Sequence, residues 1–419
     1  MLYFDQYLSK HHHSPSISVL PVEGTFIIVV IPCFNEPDII SSLESLYKCD
    51  RDGICLEIIV VINFGEQCSS DVMEYNRQSF QNIKAWAAEH NKPGFSCFAM
   101  YVPDLPQKFA GVGLARKIGM DEAVSRFNRL GNENGIICGF DADAKVESNY
   151  LKVISAHFTS HPKTPGASIY FEHSFQEIEG SRMRSGIIQY ETHLRYLVQA
   201  IRFTGFPNSY HTVGSSFAVR AGAYVKQGGM NKFKAGEDFY FLNKIISLGG
   251  YSEINDTTVF PQARVSNRVP FGTGASMTKW METDQTDFLT YQYASFLPLK
   301  NLFENISLIY NQKSIPEAML TDTALRQFLH ENEVEKAIAQ IYDNSGTFQS
   351  FRKRFFNWFD AFKIVKYLNF AAQISYPKMP VKTECSKLLK SKGKDLTPQS
   401  YEEMLHVYRK WDRFGLGSL

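Results

Sequence analysis

The stretch Ile136-Ile137-Cys138-Gly139-Phe140-Asp141-Ala142-Asp143 decides how this chain reads. A short apolar run closes on two carboxylates separated by one small residue. Open α/β sheets hold their ligands at the carboxyl edge of the strands, so such a strand delivers Asp141 and Asp143 to that edge. Two hard oxygen ligands suit Mg2+ or Mn2+, with the remaining positions left to water and phosphate oxygens. Acidic pairs are also ordinary turn formers at strand ends. The pair therefore points to a metal-bound diphosphate only if its surroundings agree.

Working outward, Thr25 to Pro32 is a continuous β-branched run, and Leu56 to Ile62 is a second. Runs without alternation fit strands buried on both faces of a parallel sheet. Between them, Asn35 is expected to cap a helix with Pro37 and Asp38 in its first turn and apolar residues at helical spacing from Ile39 to Tyr47. The spacing predicts a helix over 71–90, a strand from Ser96 to Val102 and a helix from Gly111 to about Leu130. The order is that of a doubly wound α/β sheet. Later come strands Ala167 to Phe171 and Val213 to Val219, a long helix Met183 to Phe203, and a helix opened by Glu237-Asp238 and stopped at Gly249-Gly250. Gly228-Gly229 marks an expected mobile loop. From about residue 300 the pattern is helical only.

Composition narrows the classes. At 419 residues, 44% hydrophobic and 21% charged, the chain has core enough for two or three domains. A net charge of +1 gives no electrostatic reason to bind nucleic acid. Seven cysteines without paired short spacing read as reduced thiols of a cytoplasmic protein. Phe26 to Ile31 is too short to cross a bilayer, and the first residues lack a secretory pattern. Residues 1–24 read as a leader, with His11-His12-His13 in a disordered part of it.

The order of motifs resembles the family 2 glycosyltransferases. The resemblance is carried by Ile31-Pro32-Cys33-Phe34-Asn35-Glu36 after the first strand, by Gly113-Leu114-Ala115-Arg116-Lys117-Ile118-Gly119 before the Asp pair, and by Gly236-Glu237-Asp238 about 95 residues beyond it. It covers roughly 25–265. It implies a GT-A type, Rossmann-like mixed sheet over 25–299, followed by a helical C-terminal region over 300–419. It also implies transfer of a sugar from a nucleotide-diphosphate donor to an acceptor hydroxyl, aided by Mg2+ or Mn2+ and inverting at the anomeric carbon. Asp143 would bind the metal directly, and Asp141 would bind ribose or complete the metal shell. Asp238 would be the catalytic base, with Glu237 beside it for the acceptor. Pro32, Asn35, Glu36, Asn63, Arg116 and Lys117 would line the donor, with Arg264 and Arg268 on a closing loop that Gly272, Thr273 and Gly274 leave free to move.

This sequence departs from the family pattern at two places. Lys117 stands where an Asn is usual, and Asn63 where the family has an Asp that holds the base, which leaves the nucleotide open. The third metal ligand is open as well. Ser266 or water could fill it, while His173 and His211 read as ordinary polar or core histidines. Taken without the other motifs, Glu237-Asp238 would be first-turn acids on a helix dipole.

The aromatic stretch Phe348 to Phe370 carries interspersed Arg and Lys. It reads first as a helix buried by its aromatic face, and second as an interfacial helix at the inner membrane face, where a lipid-linked acceptor would lie. Two further classes compete with the transferase. A non-catalytic nucleotide-sugar binder would use the same fold. An Asp-nucleophile phosphohydrolase would need a small or hydroxyl residue where Lys145 stands.

Overall fold

The computed structural model describes residues 2–419 except 176–177, 235 and 267–271. The chain forms two compact units, 1–178 with 212–278 and 179–211 with 279–419.

The first unit opens with α1 (Leu2–Lys10). It then alternates β1 (Thr25–Cys33), α2 (Ile39–Tyr47), β2 (Cys55–Gly65), α3 (Ser70–His90), β3 (Phe95–Leu105), α4 (Val112–Arg129) and β4 (Ile136–Gly139). After β5 (Lys145–Val146), α5 (Tyr150–Ser160) and β6 (Gly166–Phe171), the chain leaves through α6 (Ser181–Phe203), which belongs to the second unit. It returns with β7 (Phe217–Arg220), α7 (Ala221–Lys226), α8 (Glu237–Ile246) and β8 (Ser252–Phe260). The strands form one sheet in the order β3-β2-β1-β4-β7-β6-β8-β5. β1 to β4 are parallel, and β7 runs antiparallel to β4 and β6. This is the α/β fold that the apolar runs predict, with the mixed sheet that the resemblance implies.

Ile27 to Ile31 and Ile58 to Ile62 are fully buried. Each such Val or Ile contributes about 1.5–3 kcal/mol relative to an exposed one. Gly119 lets α4 lie close on this layer, since a Cβ there would stand 2.5 Å from Val30 Cγ1 and 2.9 Å from Val61 Cγ2.

Several expectations are corrected. The leader folds: Phe4, Tyr7 and Ile17 are buried, Tyr7 donates to Asp121 at 2.7 Å, and Glu122 accepts from the backbone of Ser16 at 2.9 Å. His13 is part of that arrangement, 3.3 Å from Glu122. Tyrosines and polar caps bury this segment against α4 without an apolar run that periodicity could find. Gly228-Gly229 is a packed helix stop, with Gly229 N donating to Tyr224 O at 2.9 Å and leaving no room for a Cβ beside Tyr7. The cap of α2 is Asp38, and Asn35 lies before it in the left-handed region at φ 48°. The strand expected from Val213 begins only at Phe217. Thr273 and Gly274 start a helix, Thr273–Met281.

The second unit is helical apart from a two-residue ladder pairing Leu289–Thr290 with Met379–Pro380. The aromatic stretch splits into helices Phe348–Trp358 and Ala361–Ile374, with Asp360 capping the second by accepting from Lys363 N at 2.8 Å. Phe351, Phe355, Phe356, Phe359 and Tyr367 enter the core, while Arg352, Lys353 and Arg354 stay exposed. Burial of the aromatic face is therefore the first reading realised. No helix among the described residues is long and apolar enough to cross a membrane.

Candidate active site

The parallel register brings the ends of β1, β2 and β4 to one edge. Val30 pairs with Gly139 and Cys33 with Ile62, so Glu36, Asn63, Asp141 and Asp143 all emerge there. β7 runs the other way and contributes the residues before it, Gly214 to Ser216, to the same edge. The amino end of α8 supplies Glu237 and Asp238. Gly236 at φ 70° turns the chain into that helix, a conformation that favours glycine.

Arg116, in the first turns of α4, joins these elements. It is 3% exposed, and its guanidinium pairs with Asp141 through Nη2 and Glu237 through Nη1. Gly214 makes room for it, because a Cβ there would lie 2.4 Å from Nη2. A second arginine, Arg264, follows β8. It pairs with Glu36, sits 2.9 Å from Asp143 Oδ2 and reaches Asp38 Oδ2 at 3.5 Å. Among the described residues five carboxylates pair with two guanidinium groups, and Asp238 adds a sixth acid beside Arg116.

The acid excess shifts the proton equilibria. Burial pushes the Glu237 carboxyl up, to about 7, with Arg116 opposing and Asp238 adding to the rise. Asp238 is raised as well, first by burial, against the pull of Arg116 and the backbone N–H groups of Phe239 and Gly214. Arg116 is raised by Asp141, Glu237 and Asp238 despite its burial. The one cation stays charged itself while leaving Glu237 and Asp238 under-compensated. Glu237 is 2% exposed, whereas Asp238 is only partly buried.

No protein-family model matches this chain, and no curated protein matches it. Among solved structures it is similar to S. aureus TarS 1–349 in complex with UDP-GlcNAc, at 14% identity over 93% of this chain and 92% of that one, with a TM-score of 0.39. It is also similar to the mannosyltransferase PcManGT from Pyrobaculum calidifontis in complex with GDP-Man and Mn2+, at 15% identity over 86% and 94%, with a TM-score of 0.37. A third is GalNAc-T7 with UDP, GalNAc and Mn2+, at 14% identity over 83% and 58%, with a TM-score of 0.39. These likenesses are distant, and the side chains at the sheet edge have to carry the functional reading.

Asp141 and Asp143 are hard oxygen donors of the type a divalent cation takes. Among the described residues no group of three or more His, Cys, Asp or Glu is arranged to hold a metal. Asp141 and Asp143 have side chains 37% and 20% exposed and are paired with Arg116 and Arg264. Mg2+ is commonly held by one or two carboxylates, with substrate phosphates and water completing the shell. His173 approaches Thr273 Oγ1 at 3.3 Å, and His211 pairs with Asp412 at 3.0 Å within the second unit.

Not every expected residue joins the group. Lys117 is buried on another side of α4, where Nζ pairs with Asp121 at 2.8 Å and meets Tyr7 OH at 3.2 Å. Neighbouring helix positions point about 100° apart, so Arg116 and Lys117 do not share a target. Asn63 reaches the edge, but its Nδ2 donates to Gly111 O at 3.3 Å and ties β2 to the start of α4. Asn35 donates its backbone N–H to Asn76 Oδ1 at 2.9 Å, and Pro32 stands within β1. Arg268 lies outside the described residues. Sequence reading missed Asp38, which was legible only as a helix-start acid.

Proposed function

We propose that this chain is a nucleotide-sugar glycosyltransferase of the family 2, GT-A type. The observation that carries the reading is the convergence of Asp141, Asp143, Glu237 and Asp238 with Arg116 and Arg264 at one carboxyl edge. Such an edge has acid to hold a cation, guanidinium groups to meet phosphate, and a carboxylate of raised pKa to accept a proton.

Asp141 and Asp143 would hold Mg2+ or Mn2+, which when bound supplies Lewis-acid stabilisation of a diphosphate leaving group. Arg264 presents a planar fork suited to phosphate oxygens, and it already lies against Asp143. Asp238, the less buried of the adjacent acids, takes the acceptor's proton. The acceptor oxygen then bonds to the anomeric carbon while the bond to the diphosphate breaks and its electron pair leaves with the phosphate. Attack from the face opposite the diphosphate inverts the centre. Burial raises the pKa of Asp238, which makes it a stronger proton acceptor for this task. Glu237 is held by Arg116 and orients that cation at the junction of α4, β4 and α8. The acceptor is a sugar or a lipid-linked sugar, and a peripheral membrane contact belongs to the lipid-linked case.

The test is a thermal-shift panel of UDP-, GDP-, dTDP- and CMP-sugars, with and without Mn2+, on the native protein and on Asp143→Ala. A native-state ligand raises the melting temperature by mass action. The reading requires a metal-dependent rise with one nucleotide class that the variant loses. No rise with any nucleotide sugar would overturn it.

A further inference from the structure

The first unit contains a cavity of about 780 Å³ far from the Asp pair. It is lined by α1, α7, the segments around Lys163 and Gly249, and Glu133-Asn134 ahead of β4. Arg220, on its wall, pairs in register with Ile136 at the start of β4, whereas Asp141 lies past the other end. At about 3.3 Å per residue the two ends are on the order of 15 Å apart along the strand. This cavity and the carboxylate edge are therefore separate places on one sheet.

Its chemistry is the reverse of the candidate active site. Four cationic side chains, Lys10, Lys163, Arg220 and Lys226, face one carboxylate, Glu133, which already accepts from Tyr3 OH at 2.8 Å. Arg220 is buried and fixed. Its Nε donates to Thr164 O at 2.9 Å, Nη1 to Asn134 O at 3.2 Å, and Nη2 to Phe158 O at 2.7 Å and His161 O at 3.2 Å. Backbone carbonyls hold this guanidinium, and no acid is among its hydrogen-bond partners, so its charge reaches the cavity unneutralised. Lys10, Lys163 and Lys226 are exposed at the rim and form no ion pair among the described residues. Burial holds the His11 imidazole below its usual pKa, with Lys117 and Lys10 adding to the shift and Asp121 opposing it. The rings of Tyr7 and His11 lie 4.4 Å apart on the α1 side.

A concave wall of one sign focuses its field and concentrates counter-ions. Ligand pockets run to about 300–1,000 Å³, so the volume suits a ring bearing one or two phosphates. We infer that this cavity is a second ligand site, taking a phosphorylated small molecule such as a sugar phosphate or nucleotide through Lys163, Lys226, Lys10 and the fixed charge of Arg220. It stands independently of the proposed transferase activity.

The test is calorimetric titration of the full chain with pyrophosphate and with glucose 6-phosphate, with glucose as the uncharged control. Three variants are compared: Lys163→Glu/Lys226→Glu, the milder Lys163→Gln/Lys226→Gln, and Arg264→Ala at the other edge. Both lysines are exposed, so melting temperatures should match the native protein, and the Gln pair keeps the test intact if charge reversal disturbs folding. The inference expects saturable binding of a phosphorylated probe that survives Arg264→Ala, weakens several-fold in the Gln pair and falls at least tenfold in the Glu pair. No binding to the native protein, equal binding of glucose, or loss only in Arg264→Ala would each overturn it.

Discussion

Two clusters of arginine and carboxylate lie in the two units of this chain, and they differ in balance. In the second unit, Glu191 pairs with Arg195 at 2.8 Å and with Arg409 at 2.7 Å. Asp412 pairs with Arg195 at 2.6 Å and His211 at 3.0 Å and accepts from Gln199 Nε2 at 2.6 Å. In these contacts two acids meet two guanidinium groups and an imidazole, and they join α6 to the helix Tyr401–Phe414. Burial alone would raise Asp412, but His211, Arg195 and Gln199 hold it down, at about 2. At the sheet edge of the first unit, among the described residues, six acids face two arginines, and Glu237 is pushed the other way. A balanced cluster locks helices together. An acid-rich one retains capacity for a cation, a phosphate or a proton.

The largest expected effect separates the two roles. Asp238→Asn should lower kcat by about 10²–10⁴-fold, the range for loss of a general base, with donor affinity and melting temperature little changed. A variant that transfers sugar at the native rate would remove Asp238 from the mechanism.

Next is the balanced cluster. Asp412→Ala leaves Arg195 buried with one partner fewer, and breaking a buried pair costs about 3–5 kcal/mol. Urea denaturation should show the loss. Donor affinity of the variant while folded should match the native protein, and a selective loss of donor binding at unchanged stability would invert the assignment.

The two clusters should also respond to pH with opposite sign. Asp412 is depressed in the folded state, so its contribution is present above about pH 4 and disappears as pH falls toward 2. Glu237 is raised, so its contribution is complete below its ordinary range near 4.5 and disappears as pH rises through about 7. Between pH 5 and 8 the native protein should lose on the order of 1–3 kcal/mol relative to Glu237→Gln, read as the difference in slope of stability against pH. Parallel slopes would mean that Glu237 is not the strained acid.

The smallest effect concerns Lys117. Because it pairs with Asp121 away from the acid edge, Lys117→Met should cost about 1–3 kcal/mol of stability and leave donor affinity within twofold. A tenfold loss of donor binding without loss of stability would return Lys117 to the phosphates.

The sheet was legible because strands buried on both faces must be apolar throughout, as Phe26 to Ile31 and Ile58 to Ile62 are. The Asp pair, Arg116 and Glu237-Asp238 were legible because their types and order carry chemistry. What stayed hidden depends on contacts distant in sequence. α1 is buried through Tyr7 on Asp121, a hydrogen bond that no hydrophobic pattern announces. Arg116, Glu122 and Arg126 of α4 are buried against partners distant in sequence, as Arg126 is with Glu57. The helix Ser181–Phe203 is periodic, but periodicity says nothing of the unit it joins.

The measurement that tests the acid-rich edge most directly is an NMR time course of a donor sugar, chosen from the thermal-shift panel, mixed with candidate acceptors and either native protein or Asp238→Asn. The account predicts a new glycosidic signal of inverted anomeric configuration with the native protein, and an intact donor bound to the variant. Donor that binds the native protein through Asp143 and stays unchanged with every acceptor, or product that forms equally fast with Asp238→Asn, would contradict it.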